Sequence, residues 1–137
     1  GAGSVISRAD LSEENKRPMA AETWAHGIDT VGGEILSNVI KGLKYSGSVA
    51  ICGLVASPAF STTVLPFILR NVNVLGVDSV ELPLAKKQEI WHRLATDLKP
   101  DALDKMTTEV TLDGLSEVID SIIQGGVSGR TLVKLDD

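Results

Sequence analysis

The residues that could bind a ligand follow three apolar segments, each of which is predicted to be a strand. Val31-Gly32-Gly33 ends the first segment, Gly53-Leu54 the second and Asp78-Ser79 the third. Glycine lets a ligand approach the backbone closely because it has no Cβ, and open parallel sheets bind ligands at the carboxyl ends of their strands. Taken alone, Gly32-Gly33 is more simply a tight turn from strand to helix. The three ends together favour a ligand crevice.

Other reactive side chains give weaker signals. One cysteine and two distant histidines do not make a tetrahedral zinc set, and neither a G-x-G-x-x-G fingerprint nor a P-loop occurs in the sequence. We expect His26 and His92 to be structural or solvated, and Cys52, inside an apolar strand, to be buried and inert. Arg8 follows the candidate strand Val5-Ile6-Ser7. A guanidinium at a strand end is solvated by default, but it could also pair with phosphate or stack on a base.

Composition limits the class of protein. The 137 residues are 43% hydrophobic and 23% charged, values that exclude a disordered or fibrous chain. The net charge of −5 is opposite to that expected of a nucleic-acid surface, so we expect no nucleic-acid partner. No apolar run reaches the length needed to span a bilayer, so we expect no membrane partner. With its single cysteine, the chain is predicted to be a soluble, cytoplasmic protein.

The elements that must position these residues alternate between strand and helix. An N-cap pattern at residues 10–14 predicts a turn or two of helix. Strands are predicted at residues 24–31, 48–54, 71–80, 109–112 and 129–135, and helices at 34–43, 64–70, 84–98 and 115–124. This alternation is typical of an α/β fold with an open, mostly parallel sheet and helices on both faces.

Five segments, in this order and spacing, carry a resemblance to a known family. They are Ile28-Asp29-Thr30-Val31-Gly32-Gly33, Ala50-Ile51-Cys52-Gly53-Leu54, Pro66-Phe67-Ile68-Leu69-Arg70-Asn71-Val72, Gly76-Val77-Asp78-Ser79-Val80 and Gly129-Arg130-Thr131-Leu132-Val133-Lys134. Over its whole length the chain closely resembles the C-terminal part of acryloyl-CoA reductases of the YhdH/AcuI type. These are zinc-independent medium-chain dehydrogenase/reductases, often named quinone oxidoreductases.

The resemblance implies a partial Rossmann fold. Its parts would be the C-terminal half of a doubly wound, parallel nucleotide-binding domain, followed by C-terminal helices and a closing strand. Residues 1–100 would belong to the NADPH-binding domain, and residues 101–137 would return toward a catalytic domain that the chain lacks. In such enzymes the glycine-rich pyrophosphate turn and the catalytic domain come earlier in the chain. We therefore expect a fragment that is inactive by itself.

The resemblance also assigns cofactor contacts. Arg8 matches an arginine on the adenosine side of NADPH, where a guanidinium can bind phosphate. Leu54, Ile68 and Ser79 match positions around the nicotinamide half, where two apolar side chains can pack an uncharged ring and a hydroxyl can meet its polar edge. Arg130 matches a C-terminal arginine near the cofactor cleft.

The implied reaction is hydride transfer from NADPH to the β-carbon of an α,β-unsaturated carbonyl, followed by protonation of the α-carbon. Acryloyl-CoA reduced to propionyl-CoA is the expected case, and another enoyl-CoA or a quinone stays open as the small-molecule substrate. Groups that polarise the carbonyl would come from the absent domain, so no catalytic residue is assigned here. No zinc is expected.

The segment from Asn71 to Val80 is a candidate interface. A valine-rich strand at a sheet edge invites pairing with another copy, and the wider superfamily commonly dimerises there, so we expect a homodimer. The alternative is a simple edge strand blunted by Asp78 and Glu81.

Two other functions stay open. One is a non-catalytic Rossmann-like dimerisation or nucleotide-binding module. The other is a Rossmann-like enzyme such as a methyltransferase, which would leave the segment 66–72 unexplained.

Overall fold

The chain divides into two compact units, Gly1–Leu82 (unit 1) and Pro83–Asp137 (unit 2). The computed structural model describes residues 2–135, and each unit is considered by itself. The functional boundary expected between residues 100 and 101 stays a prediction. Over the described range, no helix combines the length and the apolar character needed to cross a membrane.

Unit 1 is a three-stranded parallel sheet with helices between its strands. Its elements are α1 (Ala9–Ser12), β1 (Trp24–Asp29), α2 (Gly33–Lys41), β2 (Leu43–Ile51), α3 (Leu65–Arg70) and β3 (Asn73–Gly76). The strands lie side by side in the order β1-β2-β3, and both neighbouring pairs are parallel. The predicted α/β class is confirmed.

The core of unit 1 lies between the sheet and α2. Apolar residues of α2 recur at helical spacing, which gives the helix one apolar face. The buried apolar side chains are Leu36, Ile40, Leu43, Val49 and Val72, and Phe67 of α3 packs against them. Burial of this cluster removes apolar surface from water and supplies the main force that holds the helices on the sheet.

The opposite face of the same sheet is open within this unit. Ile28, Ala50 and Leu75 are in register across the three strands. Ile28 is 81% exposed and Leu75 is 51% exposed, because α2 and α3 both pack on the other face. Parallel strands usually have both faces covered. The helices α2 and α3 cover only the other face, so this apolar row is uncovered within unit 1.

Two strands are shorter than the sequence pattern predicts, because polar side chains turn the chain. β1 ends at Asp29, whose carboxylate accepts hydrogen bonds from the backbone N–H groups of Val31 and Gly32. β3 begins only at Asn73, since Asn71 ends α3 in a left-handed conformation with φ of 50°. The hydrogen bonds of Asp29 are of Asx type and compete with the strand ladder, whereas Asn71 acts through its backbone conformation.

The N-terminal segment differs from its prediction as well. Val5 and Ile6 are exposed, and Val5-Ile6-Ser7 forms no strand. Arg8 therefore does not end a strand but is the N-cap residue of α1. An extended segment needs a neighbouring strand to satisfy its backbone groups, and in the described sheets no strand pairs with residues 5–7.

Hydrogen bonds from side chains of α2 and α3 hold the segment before β1. The Asn38 amide donates to the carbonyls of Leu11 and Glu13, at 2.9 and 2.7 Å, and the Lys41 ammonium donates to Asn15 O at 2.6 Å. The Arg70 guanidinium donates to the carbonyls of Ala20, Lys41 and Leu43. These bonds to backbone carbonyls fix the position of α1.

Unit 2 contains a second pair of parallel strands. Its elements are α4 (Leu84–Ala95), a short 3-10 helix (Asp104–Met106), β4 (Thr107–Thr111), α5 (Leu115–Ile123) and β5 (Arg130–Lys134). β4 pairs parallel with β5, and α5 makes the crossover between them. The Lys134 ammonium meets the Glu109 carboxylate at 2.8 Å.

Candidate functional site

The carboxyl ends of the three strands of unit 1 meet at one edge of the sheet. Asp29, Ile51 and Gly76 end β1, β2 and β3, and they are register partners across the sheet. Leu54 follows Ile51 by the same number of positions as Ser79 follows Gly76. The structure therefore brings Leu54 and Ser79 to the same edge, next to the loop that links β1 to α2.

The loops after β1 and β2 are locked together by close backbone contacts. The Ala56 N–H donates to Val31 O at 2.8 Å, and the Cys52 N–H donates to Asp29 O at 2.9 Å. A Cβ on Gly32, which has φ of +70°, would overlap the Ser57 carbonyl oxygen. A Cβ on Gly53 would overlap the carbonyl oxygen of Thr30. Glycine is required at both positions because the backbones touch.

Asp78 shapes the loop after β3. Its carboxylate accepts the N–H of Val80 at 2.9 Å and that of Glu81 at 3.0 Å. The Val77 N–H donates to Ile51 O at 3.0 Å, which ties the start of this loop to the end of β2. Ser79 lies inside the turn and is exposed. The edge thus presents a hydroxyl on a loop whose start is tied to β2 and whose turn is shaped by Asp78.

Exposed apolar side chains lie on the loop after β2, at the same edge of the sheet as Ser79. Leu54 is 64% exposed, and Val55 next to it is more exposed still. Apolar side chains on ordered loops at the carboxyl edge of a parallel sheet suit an uncharged, flat ring, because such a ring gains from leaving water without needing a charge partner.

The other predicted cofactor residues belong to other elements. Ile68 is on α3, 68% exposed, close to Arg70, which binds carbonyls near the start of β2. Arg8 is exposed at the start of α1. Arg130 belongs to unit 2, where it begins β5 and lines a cavity of about 630 Å³ with acidic neighbours Asp104 and Glu109. Binding of one cofactor by all five residues stays a prediction.

A cavity that the sequence analysis did not anticipate runs along β1. It has a volume of about 330 Å³, and its lining includes Trp24, Ile28, Val31, Ile35 and Val39. β1 bonds to β2 on one side, and this groove lies along the strand where the described residues supply no further strand. The apolar residues of β1 and α2 are the only sequence signal for this cavity.

The remaining reactive side chains have structural partners. Cys52, expected to be buried, is exposed because β2 ends one residue before it, and its thiol donates to Asp29 O at 3.4 Å. His26 Nδ1 lies 3.0 Å from the Ser48 hydroxyl oxygen. Among residues 2–135, no three His, Cys, Asp or Glu side chains cluster as metal ligands do.

Two surface ion pairs of unit 2 each shift the pKa of one of their members. The hydrogen bond that Arg93 donates lowers the pKa of Asp97. The hydrogen bond that Lys134 donates to the Glu109 carboxylate, together with the negative charge of Glu109, raises the pKa of Lys134. Both groups are solvent-exposed, and ion pairs on a surface perturb pKa values without any catalytic role.

Comparisons with known proteins identify relatives. No family model matches the chain. It is 40% identical to the acrylyl-CoA reductase AcuI of Ruegeria pomeroyi, over 99% of this chain and 41% of that protein. It is 38% identical to the putative quinone oxidoreductase YhfP of Bacillus subtilis, over 98% of this chain and 41% of that protein. The chain thus spans about two fifths of the length of these curated relatives.

Comparison with solved structures identifies the same group of relatives. Escherichia coli YhdH with bound NADPH superposes with a TM-score of 0.88 at 40% identity, covering 99% of this chain and 42% of that one. Bacillus subtilis YhfP with NAD bound gives 0.91 at 38% identity, covering 98% and 41%. These matches confirm the partial Rossmann fold and the resemblance carried by the five motifs. Over nearly all of its length, the chain is similar to one part of the acrylyl-CoA reductases and YhfP-type quinone oxidoreductases.

Proposed function

We propose that this chain forms part of an NADPH-dependent oxidoreductase that reduces the C=C bond of an α,β-unsaturated carbonyl, with acryloyl-CoA giving propionyl-CoA. One observation carries the proposal: the ends of β1, β2 and β3 share one edge, where Leu54 and Ser79 stand on loops held in place by hydrogen bonds. The names of the relatives support the reaction class, and the nucleotide in the YhdH structure supports the cofactor.

The residues at this edge fit the nicotinamide half of NADPH. Leu54 offers an exposed apolar side chain beside two loops whose glycines let backbones approach closely, and Ser79 offers a hydroxyl to the polar edge of the ring. Ile68 would add an apolar contact. Arg8 would pair with the phosphate on the adenosine side, and Arg130 would stand near the cleft.

NADPH would supply the hydride when bound, and this chain would bind and orient it. The hydride goes to the β-carbon of the substrate, and a proton is then added at the α-carbon. No residue of this chain is assigned to polarise the carbonyl or to donate the proton. We therefore propose that the chain alone does not turn over substrate, with residues 1–100 serving the cofactor domain and 101–137 serving the catalytic one.

The proposal also covers the substrate, the metal requirement, the location in the cell and the partners. The substrate is an enoyl-CoA or a quinone, the reaction needs no zinc, the location is the cytoplasm, and no nucleic acid or membrane takes part. The homodimer would form through the segment 71–80. Supporting it, β3 bonds to β2 on one side, while Leu75 and Val77 leave about half of their surface exposed.

The cofactor part of this proposal is testable on the chain itself. Backbone amide NMR spectra recorded during titration with NADP⁺ should show saturable shifts at the loops that carry Leu54 and Ser79. A Ser79→Ala variant should weaken these shifts. The matched control is Ser61→Ala, which changes another exposed serine of unit 1 and should leave them unaltered. Saturable shifts confined to other surfaces would favour the non-catalytic nucleotide-binding module, and the absence of saturable shifts would favour the non-catalytic dimerisation module.

A further inference from the structure

Asp29 is hydrogen-bonded both to the loop after β1 and to the loop after β2. The side chain is buried, with 5% of its surface exposed. Its carboxylate oxygen Oδ2 accepts the N–H of Gly32 at 2.8 Å and that of Val31 at 3.2 Å. Its main-chain oxygen accepts the N–H of Cys52 at 2.9 Å. One residue thus binds its own loop through the carboxylate and the next strand's loop through the carbonyl.

These contacts bracket Leu54. On one side, Cys52 is bonded to Asp29 itself. On the other side, Ala56 is bonded to Val31 O, and Val31 is held by the Asp29 carboxylate. Because Leu54 is mostly exposed, side-chain burial does not fix it. Its position depends on the two anchors, and the Asp29 carboxylate acts on the second of them.

Gly32 also takes part in the contacts that connect the two loops. It holds a conformation with φ of 70° and ψ of −158°, which is costly for any residue other than glycine. The short hydrogen bond to the Asp29 carboxylate stabilises it, since bonds from N–H groups to an ionised acceptor are among the stronger ones. Gly32 in turn bridges to Ser57, just beyond Ala56.

We propose that Asp29 is a positioning residue for the cofactor. Its carboxylate sets the loop after β1, and that loop holds Leu54 ready for the nicotinamide ring before any ligand arrives. The inference rests on the proposed function, because Leu54 acquires its role there. Asp29 itself does not touch the cofactor and moves no proton. An ordered loop binds more tightly because ordering it on binding has an entropic cost.

The test uses three variants of the chain. Asp29→Ala removes the carboxylate acceptor, and Asp29→Asn keeps one side-chain oxygen that can accept from Gly32. Asp78→Ala is the matched control, because Asp78 makes the same kind of turn after β3 but is not bonded to the Leu54 loop. Amide hydrogen exchange and the NMR order parameter of the Leu54 backbone are measured without ligand, and NADP⁺ dissociation constants are measured separately.

Asp29→Ala should speed exchange at Val31, Gly32 and Ala56, lower the order parameter of Leu54, and weaken NADP⁺ binding by about two- to tenfold. Asp29→Asn should bring the exchange rates, the Leu54 order parameter and the NADP⁺ affinity most of the way back to those of the unmodified chain. Asp78→Ala should leave the order parameter of Leu54 unchanged. An unchanged Leu54 order parameter in the folded Asp29→Ala chain would overturn the inference, as would a lowered Leu54 order parameter with unchanged NADP⁺ affinity. If the unmodified chain shows no NADP⁺ binding, the proposed function fails, whereas the ligand-free measurements still decide whether Asp29 holds Leu54.

Discussion

The locked loops at the carboxyl edge predict that two glycines there resist substitution, whereas a third tolerates it. In Gly53→Ala the new Cβ would overlap the carbonyl oxygen of Thr30 and lie 2.7 Å from its carbonyl carbon. All of these atoms belong to the backbone, so no side chain can rotate away. In Gly32→Ala the Cβ would overlap the Ser57 oxygen, and φ of +70° adds strain. In Gly76→Ala nothing lies within 4 Å of the new Cβ.

The magnitudes follow from these contacts. Overpacking against backbone costs about 1–3 kcal/mol, which is the expectation for Gly53→Ala. Gly32→Ala adds roughly 1–3 kcal/mol for a conformation that alanine disfavours, so it should be the more destabilising of the two. Gly76→Ala should be neutral or stabilise by about 0.4–1 kcal/mol, because alanine has less conformational entropy to lose on folding.

The assay is urea unfolding followed by tryptophan fluorescence in a Trp91→Phe background. Trp91 is exposed in unit 2, so this change leaves Trp24, which packs against the core of unit 1 and donates its backbone N–H to Gly42 O at 3.1 Å, as the reporter of unit 1. For a domain of this size, 1 kcal/mol corresponds to about 4–8 °C in Tm, which a thermal melt can cross-check. If Gly53→Ala unfolds at the same urea concentration as Gly76→Ala, the two loops do not pack as described.

Three further predictions follow from other parts of the chain. Ile40→Val should cost about 0.5–1.5 kcal/mol in urea unfolding, because Ile40 is fully buried, whereas Ile123→Val, which changes an exposed side chain, should have little effect; equal losses would contradict the assigned core. Arg93→Ala should raise the pKa of Asp97 toward its ordinary value, as followed by carboxyl-carbon NMR. Since Arg93 lowers that pKa in the folded chain, the pair's contribution to stability is present above the unfolded pKa and is lost as the pH falls through the folded one. Sedimentation at several concentrations should show a dimer that dissociates on dilution, and a monomer at every concentration would count against pairing through β3.

The order of strands and helices could be predicted because it depends on local periodicity. Apolar residues recur every three to four positions in α2 and continuously in β2, which separates helix from strand without knowledge of the partner elements. The element ends could not be predicted as well. The Asp29 carboxylate ends β1 through a hydrogen bond that forms only in the folded chain. Asn71 ends α3 through a left-handed backbone conformation, which many sequences allow at a helix end.

Part of the candidate site could also be predicted. Parallel strands end at a common edge, so Leu54 and Ser79 were expected together once the strands were recognised. The role of Asp29 was not accessible in the same way, because it depends on the approach of residues 52–57, which are distant in sequence. Likewise, the continuous apolar pattern of β2 predicts two covered faces, whereas exposed Ile28 and Leu75 reveal that unit 1 covers one of them.

The most direct test of the central claim replaces the matched segment of the Escherichia coli relative, which is 40% identical to this chain, with this chain. The folded chimera is then assayed for acryloyl-CoA-dependent oxidation of NADPH, followed by the absorbance of the reduced nicotinamide. We predict that it forms propionyl-CoA and that Leu54→Asp raises its KM for NADPH, whereas Ile123→Asp, a matched change on an exposed side chain of unit 2, leaves that KM unaltered. A folded chimera that binds no NADPH and reduces no acryloyl-CoA would contradict the claim that this chain builds one side of a nicotinamide nucleotide site.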